Sequence, residues 1–353
     1  MIKVLGLALY GPLAASNRYR LGYYTPGLAE LGIELQVRHL LGNAYLNSKF
    51  TGKKLPFTSI LSEIILRLND LLHQREYDLV IVQGELIPMA PAWLEHVMLR
   101  IPYIYDFDDA FYLKYRTGLL SIASPVLGSK FDKIIAKAEA VTAGSFILTD
   151  YAAMHNLNTY YLPTVVDEKR YLPDASKRNN SIFTIGWIGS PSTAPYLDQL
   201  IEPLSLLGFE GKVRLIVVGA RAPIISNIST VELKWREDTE IDLINSFDVG
   251  VMPLADGAWE RGKCAFKLIQ YMACALPVVA SPVGANLTVV NNASGFLAST
   301  SAEWLIALRR LRDDSGLRNQ MGQAGRNRVI GEYSINRNLP ILADIIYRAT
   351  GRL

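Results

Sequence analysis

The sequence predicts an α/β protein built from two doubly wound halves, and three observations lead to that prediction. Short apolar runs alternate with helical stretches along nearly the whole chain, a pattern typical of parallel sheets covered by helices. The alternation breaks once, between Pro163 and Pro173, where the run VVDEKR interrupts it. The 353 residues are enough for two domains that each bury a core of their own.

The first half, residues 1–165, is expected to form one domain around a parallel sheet. A helix is predicted at Arg20–Leu31, because Gly32 after it is a common helix end. A second helix is predicted at Ile60–Leu72, where apolar residues recur at helical spacing. The expected strands are Val4–Leu9, Glu34–Arg38, Leu79–Val82, Tyr103–Tyr105, Ala140–Thr142 and Tyr160–Leu162.

The second half, residues 166–334, repeats the alternation of strands and helices. Residues 335–353 then carry apolar side chains in helical register, and we expect this C-terminal helix to pack back on the first half. Two doubly wound domains that face a central cleft are the simplest architecture for this pattern. The expected strands are Phe183–Ile188, Val213–Gly219, Glu232–Leu233, Val249–Met252, Val278–Ala280 and Gly295–Leu297.

The composition excludes several classes of protein. Half of the residues are hydrophobic and a fifth are charged, which is typical of a globular chain. The formal net charge of +3 gives no bulk signal for nucleic acid, and a pI near 8.7 suits anionic substrates or lipid. No apolar run approaches the ~20 residues of a membrane-spanning helix. We therefore expect a cytoplasmic protein, with at most peripheral contact at the inner face of the plasma membrane, whose two cysteines are reduced and buried.

The stretch Phe247–Val283 predicts a βαβ unit whose crossover helix follows a cationic, glycine-containing loop. The first turn of such a helix leaves backbone N–H groups unpaired at the positive end of the helix dipole, which favours a phosphate. Lys263, Lys267 and Gln270 are four and then three residues apart, so they should share one face. A phosphate site is favoured over a solvated stripe because the other sides of the helix are apolar.

The loop after the first strand is a candidate site, because ligands of parallel sheets bind beyond the carboxyl ends of the strands. Gly11 allows a close backbone approach there. Arg18 and Arg20 follow it in the sequence. The two arginines either reach an anion or lie on the surface, and the sequence does not decide between these interpretations.

The run DFDDA follows the fourth strand and concentrates negative charge. Asp106, Asp108 and Asp109 fall within four positions, where they could bind a divalent metal or accept a hydrogen bond from a sugar hydroxyl. Capping of a following helix would account for one or two of the three. A role in a site is therefore favoured for at least one of them.

The second half opens with IGWIGSPSTAPYL, which places small and hydroxylated residues between a strand and a helix. Gly189, Ser190 and Thr193 can cap that helix, donate to a phosphate, or do both. The stretch lacks the lysine of a P-loop, which disfavours a nucleotide hydrolase. Glu260, beside the predicted phosphate turn, either touches the substrate or is solvated.

The four histidines are scattered, and the fingerprints of serine hydrolases, zinc proteases and dehydrogenases are absent from the sequence.

Several of these stretches resemble a known family. The run FKLIQYMACALPVVASPVGAN, with FDVGVMPL before it and GFLAST after it, is similar to the nucleotide-sugar half of retaining glycosyltransferases of family four, which have the GT-B fold. The stretches SNRYR, YDLVIVQGEL, PYIYDFDDAF and LPTVVD are similar to the matching segments of a bacterial branch of that family. The resemblance extends over nearly the whole chain, and the second-half run is its specific part.

The resemblance implies transfer of a sugar from a UDP- or GDP-sugar to a glycan or lipid-linked acceptor in bacterial cell-surface polysaccharide synthesis. It implies retained anomeric configuration, no cofactor and no bound metal. Residues 1–165 would form a Rossmann-like acceptor domain and residues 166–334 a Rossmann-like donor domain. Lys263 and Lys267 would stabilise the negative charge on the leaving diphosphate. Asp108, at the position of a family histidine, would position the sugar and stabilise its positive character.

The chain departs from the family pattern at two positions. A pair of glutamates eight positions apart normally brackets the phosphate-binding turn, and here these positions hold Gly262 and Gln270. Gln270 can still hydrogen-bond a ribose hydroxyl, and Glu260 is a candidate substitute for the first glutamate. The donor-binding residues expected on this basis are Gly11, Arg18, Gly189, Ser190, Thr193, Glu260, Gly262, Cys264, Ala265, Phe266 and Gln270.

The missing glutamates leave an alternative open, which is a catalytically inactive GT-B-like protein that binds a nucleotide sugar or a partner. An epimerase or hydrolase on the same fold is a third interpretation.

Acceptors of the family are often polyprenyl-linked. Lys49, Lys53 and Lys54 lie among apolar residues ahead of the helix that starts at Ile60, a pattern that fits contact with an anionic membrane. An ordinary loop followed by a core helix fits the same residues.

Overall fold

Two six-stranded parallel sheets, each with its own helices, form the protein. The computed structural model describes residues 1–51, 55, 57–178 and 181–352. The strands in these ranges are β1 (Ile2–Tyr10), β2 (Ile33–Leu41), β3 (Leu79–Gln83), β4 (Tyr103–Phe107), β5 (Ala140–Ala143), β6 (Thr159–Tyr161), β7 (Phe183–Ile188), β8 (Val213–Val218), β9 (Ser229–Leu233), β10 (Val249–Met252), β11 (Val278–Ala280) and β12 (Gly295–Leu297).

Helices connect and cover these strands. The α-helices in the described ranges are α1 (Ala15–Arg20), α2 (Thr25–Glu30), α3 (Asn43–Thr51), α4 (Phe57–Leu72), α5 (Ala92–Met98), α6 (Ser124–Leu127), α7 (Lys130–Ala136), α8 (Phe146–Ala153), α9 (Ile201–Glu210), α10 (Glu240–Asn245), α11 (Ala258–Arg261), α12 (Phe266–Ala273), α13 (Asn286–Val289), α14 (Ser301–Asp313), α15 (Ser315–Arg328) and α16 (Ile335–Ala349).

The chain divides into two compact units. Unit 1 comprises Met1–Val165, Arg261–Cys264 and Ile335–Leu353, and unit 2 comprises Val166–Glu260 and Ala265–Ser334. The sheet of unit 1 has the order β2-β1-β3-β4-β5-β6, and that of unit 2 has the order β12-β11-β10-β7-β8-β9. In each sheet the first strand in the chain lies inside, and later strands were added on both of its sides. The carboxyl edge beside β1 and β3, and the one beside β7 and β10, are therefore switch points where ligands bind in such sheets.

The core of unit 1 includes the C-terminal helix. Leu342, Ile345 and Ile346 of α16 are buried in one cluster with residues of the sheet such as Val4 and Ile81. The helix therefore packs with the first half of the chain, as its helical register predicts. Its burial explains why the chain returns to unit 1 after Ser334.

Two glycines let aromatic rings lie directly on the sheet of unit 2. A Cβ added at Gly250 would overlap the ring of Tyr271, and one at Gly186 would overlap the ring of Phe247. The two rings meet edge to face, with centroids 6.3 Å apart. Because the N–H of Ile188 also donates to Tyr271 Oη at 2.9 Å, α12 is anchored against β7 and β10. This anchoring positions the first turn of α12 at the carboxyl edge of β7.

The helix predicted at Arg20–Leu31 is wrong as a single element. The chain forms α1, then a 3-10 turn at Gly22–Tyr24, then α2. Pro26 has no N–H to donate to the carbonyl of Gly22, so a continuous α-helix would lose a hydrogen bond there. The apolar spacing that suggested one helix is thus shared by two short ones.

Candidate functional site

Lys267 is held in place at the carboxyl edge of β7 in unit 2. Its Nζ lies 4.3 Å from the centre of the Trp187 ring and donates to Thr193 Oγ1 at 3.3 Å. Thr193 Oγ1 in turn donates to the carbonyl of Ser190 at 3.1 Å. A cation over the face of a tryptophan is attracted by the ring and loses rotational freedom. The structure thereby supplies a preorganised positive charge at the switch point of the unit 2 sheet.

Gly189 is required by this arrangement. A Cβ at this position would lie 2.5 Å from the ring of Trp187 and 2.7 Å from Lys267 Nζ. The sequence singled out Gly189 with its small and hydroxylated neighbours as residues that cap the following helix or donate to a phosphate. Its immediate role in the structure is to leave room for the lysine and the tryptophan.

The helix that carries Lys267 starts later than the sequence predicts. Ala265 has a left-handed backbone with φ of 54°, and α12 begins at Phe266. Because a left-handed residue breaks a right-handed helix, Lys263 lies outside α12. The prediction that Lys263 shares a helix face with Lys267 and Gln270 is therefore wrong. Lys267 is the second residue of the helix, in the turn where N–H groups have no intrahelical acceptor.

Gln270 lies deeper than a ligand-facing side chain on the surface would. Only 3% of its surface is exposed, and its Nε2 donates to Tyr171 Oη at 2.8 Å. Its two polar atoms therefore have different surroundings, since the amide nitrogen already has a protein partner.

Glu260 is also engaged by the protein. Its Oε1 accepts a hydrogen bond from Tyr196 Oη, which holds the half-buried carboxylate within unit 2. A hydroxyl that binds one carboxylate oxygen leaves the other able to accept. A contact of Glu260 with the donor sugar stays a prediction.

Asp106 belongs to the core of unit 1, contrary to the expectation that DFDDA is a loop. It lies inside β4, and its carboxylate receives two hydrogen bonds from Arg20 and one from Thr142 Oγ1 at 2.6 Å. Arg20 also donates to the carbonyl of Leu162. Arg20 is therefore a buried structural partner of Asp106, and the possibility that it reaches a ligand anion is excluded by its burial.

The segment Arg261–Cys264 contacts the other two aspartates within unit 1. Lys263 Nζ lies 3.6 Å from Asp109 Oδ2, and the thiol of Cys264 donates to the carbonyl oxygen of Asp108 at 3.0 Å. Burial raises the pKa of the Cys264 thiol well above its ordinary value, so the thiol keeps its proton. Both cysteines are free and buried, as predicted. Lys263 is therefore paired with a carboxylate of unit 1, and its role in stabilising the leaving diphosphate stays a prediction.

Gly262 packs too closely for any side chain. A Cβ on it would lie 2.5 Å from the Cβ of Ala110 and 3.1 Å from the backbone nitrogen of that residue. A glutamate at this position would require the backbone of unit 1 to move. The packing of this segment therefore leaves no room for the first of the two glutamates of the family that the sequence resembles.

Gly11 and Arg18 take part in the structure of the loop after β1. Gly11 lies against Gly42 and Asn43, and its N–H donates to the carbonyl of Leu41 at 2.9 Å. The buried Arg18 donates to the carbonyl of Pro12 at 2.7 Å. These contacts hold both residues within unit 1, and their role in donor binding stays a prediction.

The described residues contain no group of three or more histidine, cysteine, aspartate or glutamate side chains that could hold a metal ion. Within the same part of the chain, every helix falls short of the length and apolar character needed to cross a membrane.

Comparison with known proteins adds to this geometry. A family model described as glycosyl transferases group 1 matches residues 182–314, which include the whole Lys267 site. No curated protein matches the sequence. Among solved structures, Anabaena HepE in complex with UDP and glucose superimposes with a TM-score of 0.71 at 14% identity, over 98% of this chain and 99% of that one. Sucrose-phosphate synthase from Thermosynechococcus elongatus gives a TM-score of 0.68 at 14% identity over 100% of both chains.

The chain has the GT-B fold. A glycosyltransferase from Rickettsia africae has a TM-score of 0.66 at 15% identity, over 99% of this chain and 98% of that one. At these identities the solved structures establish the GT-B architecture alone. The predicted fold is confirmed, and the family match places the glycosyltransferase-like sequence in the second half, where the resemblance was most specific.

Three aromatic residues of unit 2 were missed by sequence reasoning. Trp187 supports Lys267, Tyr196 holds Glu260, and Tyr171 binds Gln270. Trp187 could have been noticed, because a tryptophan at the carboxyl end of a buried strand stands next to the glycine of IGWIG. Tyr171 and Tyr196 carry no such signal, since only the tertiary fold brings them to their partners.

Asp108 gives unit 1 of this GT-B protein a pH-dependent stability. Burial, together with the charges of Asp109 and Asp106, raises the pKa of its carboxyl from 3.8 to about 7, against the lowering effect of the Arg20 charge. Since the folded chain holds this proton more tightly than the unfolded chain, the contribution is fully present below about pH 4 and is lost as the pH rises through 7.

An Asp108→Asn variant is therefore expected to gain stability relative to the unaltered chain as the pH rises from 5 to 8. Melting temperatures of both proteins, measured at intervals of half a pH unit, test this result. A difference that stays constant over that range would contradict the raised pKa. Asp344→Asn, which changes an exposed carboxylate on α16, is the matched control and should show no such trend.

Proposed function

We propose that the protein is a glycosyltransferase that moves a sugar from a nucleotide diphosphate sugar, a UDP- or GDP-sugar, to a glycan or lipid-linked acceptor. The observation that carries the proposal is the fixed ammonium of Lys267 at the switch point of the unit 2 sheet, beside the first turn of α12. A fixed cation and the N-terminus of a helix together favour the binding of a diphosphate. The site falls inside the segment matched by glycosyl transferases group 1.

The chemistry follows from charge development in the transition state. Cleavage of the bond between sugar and diphosphate leaves negative charge on the leaving oxygen, which Lys267 and the N–H groups of the first turn of α12 stabilise. Ser190 and Thr193 supply hydroxyls at the same edge. We propose that Asp108 of unit 1 positions the donor sugar. Retention of anomeric configuration and independence of metal belong to the proposal.

The decisive experiment measures nucleotide release from a panel of UDP- and GDP-sugars, with and without bacterial lipid extract. UDP is the first nucleotide to test, because the solved structure of HepE contains it. Release that depends on extract and yields a glycosylated product supports the proposal, and the anomeric configuration of that product, read by NMR, tests retention. Activity that survives EDTA supports independence of metal. Absence of release with every donor would contradict the proposed transferase.

A second candidate function is an inactive GT-B protein that binds a nucleotide sugar. The packing of Gly262 against Ala110 favours it, because no carboxylate fits at the first family position. Calorimetry separates the candidates. UDP binding without turnover of any donor supports the binding protein, and turnover excludes it.

We also propose that unit 1 makes peripheral contact with an anionic membrane through α4. The apolar side chains of Leu61, Ile65 and Leu72 are 60%, 58% and 67% exposed, and their spacing places them on the outer side of this helix. Lys49, on the preceding helix α3, is exposed as well, with its ammonium 5.7 Å from the centre of the Tyr10 ring. Lys53 and Lys54, which the sequence also assigned to this surface, lie outside the described residues. An apolar helix face next to cations is typical of helices that lie in a membrane interface.

The double variant Leu61→Ser/Ile65→Ser is expected to lower binding to vesicles of phosphatidylcholine and phosphatidylglycerol by about tenfold or more, since apolar burial contributes ~25 cal/mol per Å². Cosedimentation measures the bound fraction. Ile306→Ser, on α14 of unit 2, removes a similarly exposed apolar side chain and should leave binding unchanged. Equal binding by all three proteins would contradict the role of α4.

A further inference from the structure

Four side chains in unit 2 form a hydrogen-bonded chain that ends at Gln270. Trp235 Nε1 donates to Glu240 Oε1 at 2.8 Å, Tyr171 Oη donates to Glu240 Oε2 at 2.6 Å, and Gln270 Nε2 donates to Tyr171 Oη at 2.8 Å. Tyr171, Glu240 and Gln270 are all buried. Burial makes each of these hydrogen bonds costly to break, because water cannot replace the lost partner.

The directions of these bonds determine which residue can stand at position 270. An ionised carboxylate only accepts, so the single proton of the Tyr171 hydroxyl goes to Glu240. The Tyr171 oxygen must then accept from residue 270, and a glutamine can donate to it. A glutamate there would place two carboxylates on a hydroxyl that has one proton. The amide at position 270 is therefore required by Glu240, although Glu240 does not touch it.

The other polar atom of Gln270 is open. Its Oε1 accepts no hydrogen bond within the described residues, although only 3% of the surface of Gln270 is exposed. Gln270 follows Lys267 by three positions on α12, so both side chains lie on one side of the helix. An acceptor oxygen thus stands near the cation proposed to bind the diphosphate.

We infer that Glu240, acting through Tyr171, is a positioning residue that orients the Gln270 amide so that its Oε1 accepts a hydrogen bond from a ligand hydroxyl. The ligand class is a nucleotide or a sugar with free hydroxyl groups, and this part of the inference rests on the proposed function. The orientation of the amide rests on the hydrogen-bonded chain alone. The two parts can therefore fail separately.

A reciprocal exchange tests the orientation. Gln270→Glu alone and Glu240→Gln alone are each expected to lower the melting temperature by about 3 °C or more, because each leaves a buried group without a proper partner. In the double variant Gln270→Glu/Glu240→Gln, the new amide donates to Tyr171, and Tyr171 donates to the new carboxylate. The chain then runs in the opposite direction with every bond made, so at least half of the loss should be recovered.

The control pairs Gln270→Glu with Glu202→Gln, which removes an exposed carboxylate on α9 and should recover nothing. Strictly additive losses in the Glu240 double variant would overturn the inferred orientation. Recovery confined to that double variant supports it, whether or not the protein turns over a donor.

UDP, measured by calorimetry, is the probe for the ligand part. Both single variants should bind UDP about tenfold more weakly, and the reciprocal double variant should regain most of that affinity. A recovered melting temperature with UDP affinity still reduced would overturn the assignment of Oε1 to a ligand hydroxyl. Failure of the unaltered chain to bind UDP would count against UDP as the proposed nucleotide and against this ligand assignment, while the melting temperatures still decide the orientation.

Discussion

A Lys267→Met variant is expected to lose a factor of about 10²–10³ in kcat/KM for nucleotide release, with little change in melting temperature. The lysine ammonium lies over the Trp187 ring, and methionine keeps an unbranched apolar side chain at this position while it removes the charge. The loss should fall mainly on kcat, because the charge on the leaving diphosphate grows in the transition state. Steady-state kinetics with the best donor of the panel measure this change.

Lys212→Met is the matched control for the loss of one positive charge. Lys212 is exposed and lies directly before β8, at the amino edge of the sheet, whereas Lys267 lies at the carboxyl edge. Its substitution should leave kcat/KM within about twofold. If Lys267→Met and Lys212→Met behave alike, then a general electrostatic effect explains the data and Lys267 has no specific role in the proposed reaction.

An Arg20→Met variant is expected to destabilise the protein by about 3–5 kcal/mol, because it leaves the carboxylate of Asp106 buried without its cation. Arg20 and Asp106 are both buried, with two hydrogen bonds between them, and Thr142 supplies a third to the carboxylate. Urea unfolding of unit 1, followed by tyrosine fluorescence and circular dichroism, measures the loss. Enzyme activity would fall only in step with the folded fraction.

The double variant Arg20→Met/Asp106→Leu tests the cause of that loss. It removes both charges, so it should be more stable than Arg20→Met alone, as expected when an uncompensated buried charge is the main cost. Arg348→Met, which breaks an exposed pair with Asp344 on α16, should change the unfolding midpoint very little. A double variant less stable than Arg20→Met would show that packing, and not charge, dominates at this site.

Much of the architecture could be predicted because buried strands and helix faces are recognisable in the sequence by their apolar residues. A strand covered by helices on both faces is apolar at nearly every position, and β3, with the sequence LVIVQ, is such a strand. The boundaries of helices were less predictable. Ala265 ends the loop before α12 in a left-handed conformation that is uncommon for alanine, so nothing in its residue type indicated the break.

The candidate site was predictable only in part. Gly189 and Thr193 were predicted from their positions after a strand, and Lys267 from its place at the start of the crossover helix; the structure brings these three residues together. Lys263 was assigned to the same group by helical spacing, yet its contacts lie with Asp109 in unit 1. Spacing along a helix predicts neighbours only where the helix exists.

The sequence by itself determined the two parallel sheets and the segment that carries the proposed phosphate site, since apolar periodicity and the cationic turn before α12 are local properties of the chain. Only the tertiary structure decided what each polar residue does. Asp106 became a core ion pair with Arg20. Gln270 became the end of a chain that begins with Trp235 and Glu240. The physical reason is that the free energy of a buried charge or amide depends on partners that are tens of residues away in the chain. Local sequence patterns do not predict those partners.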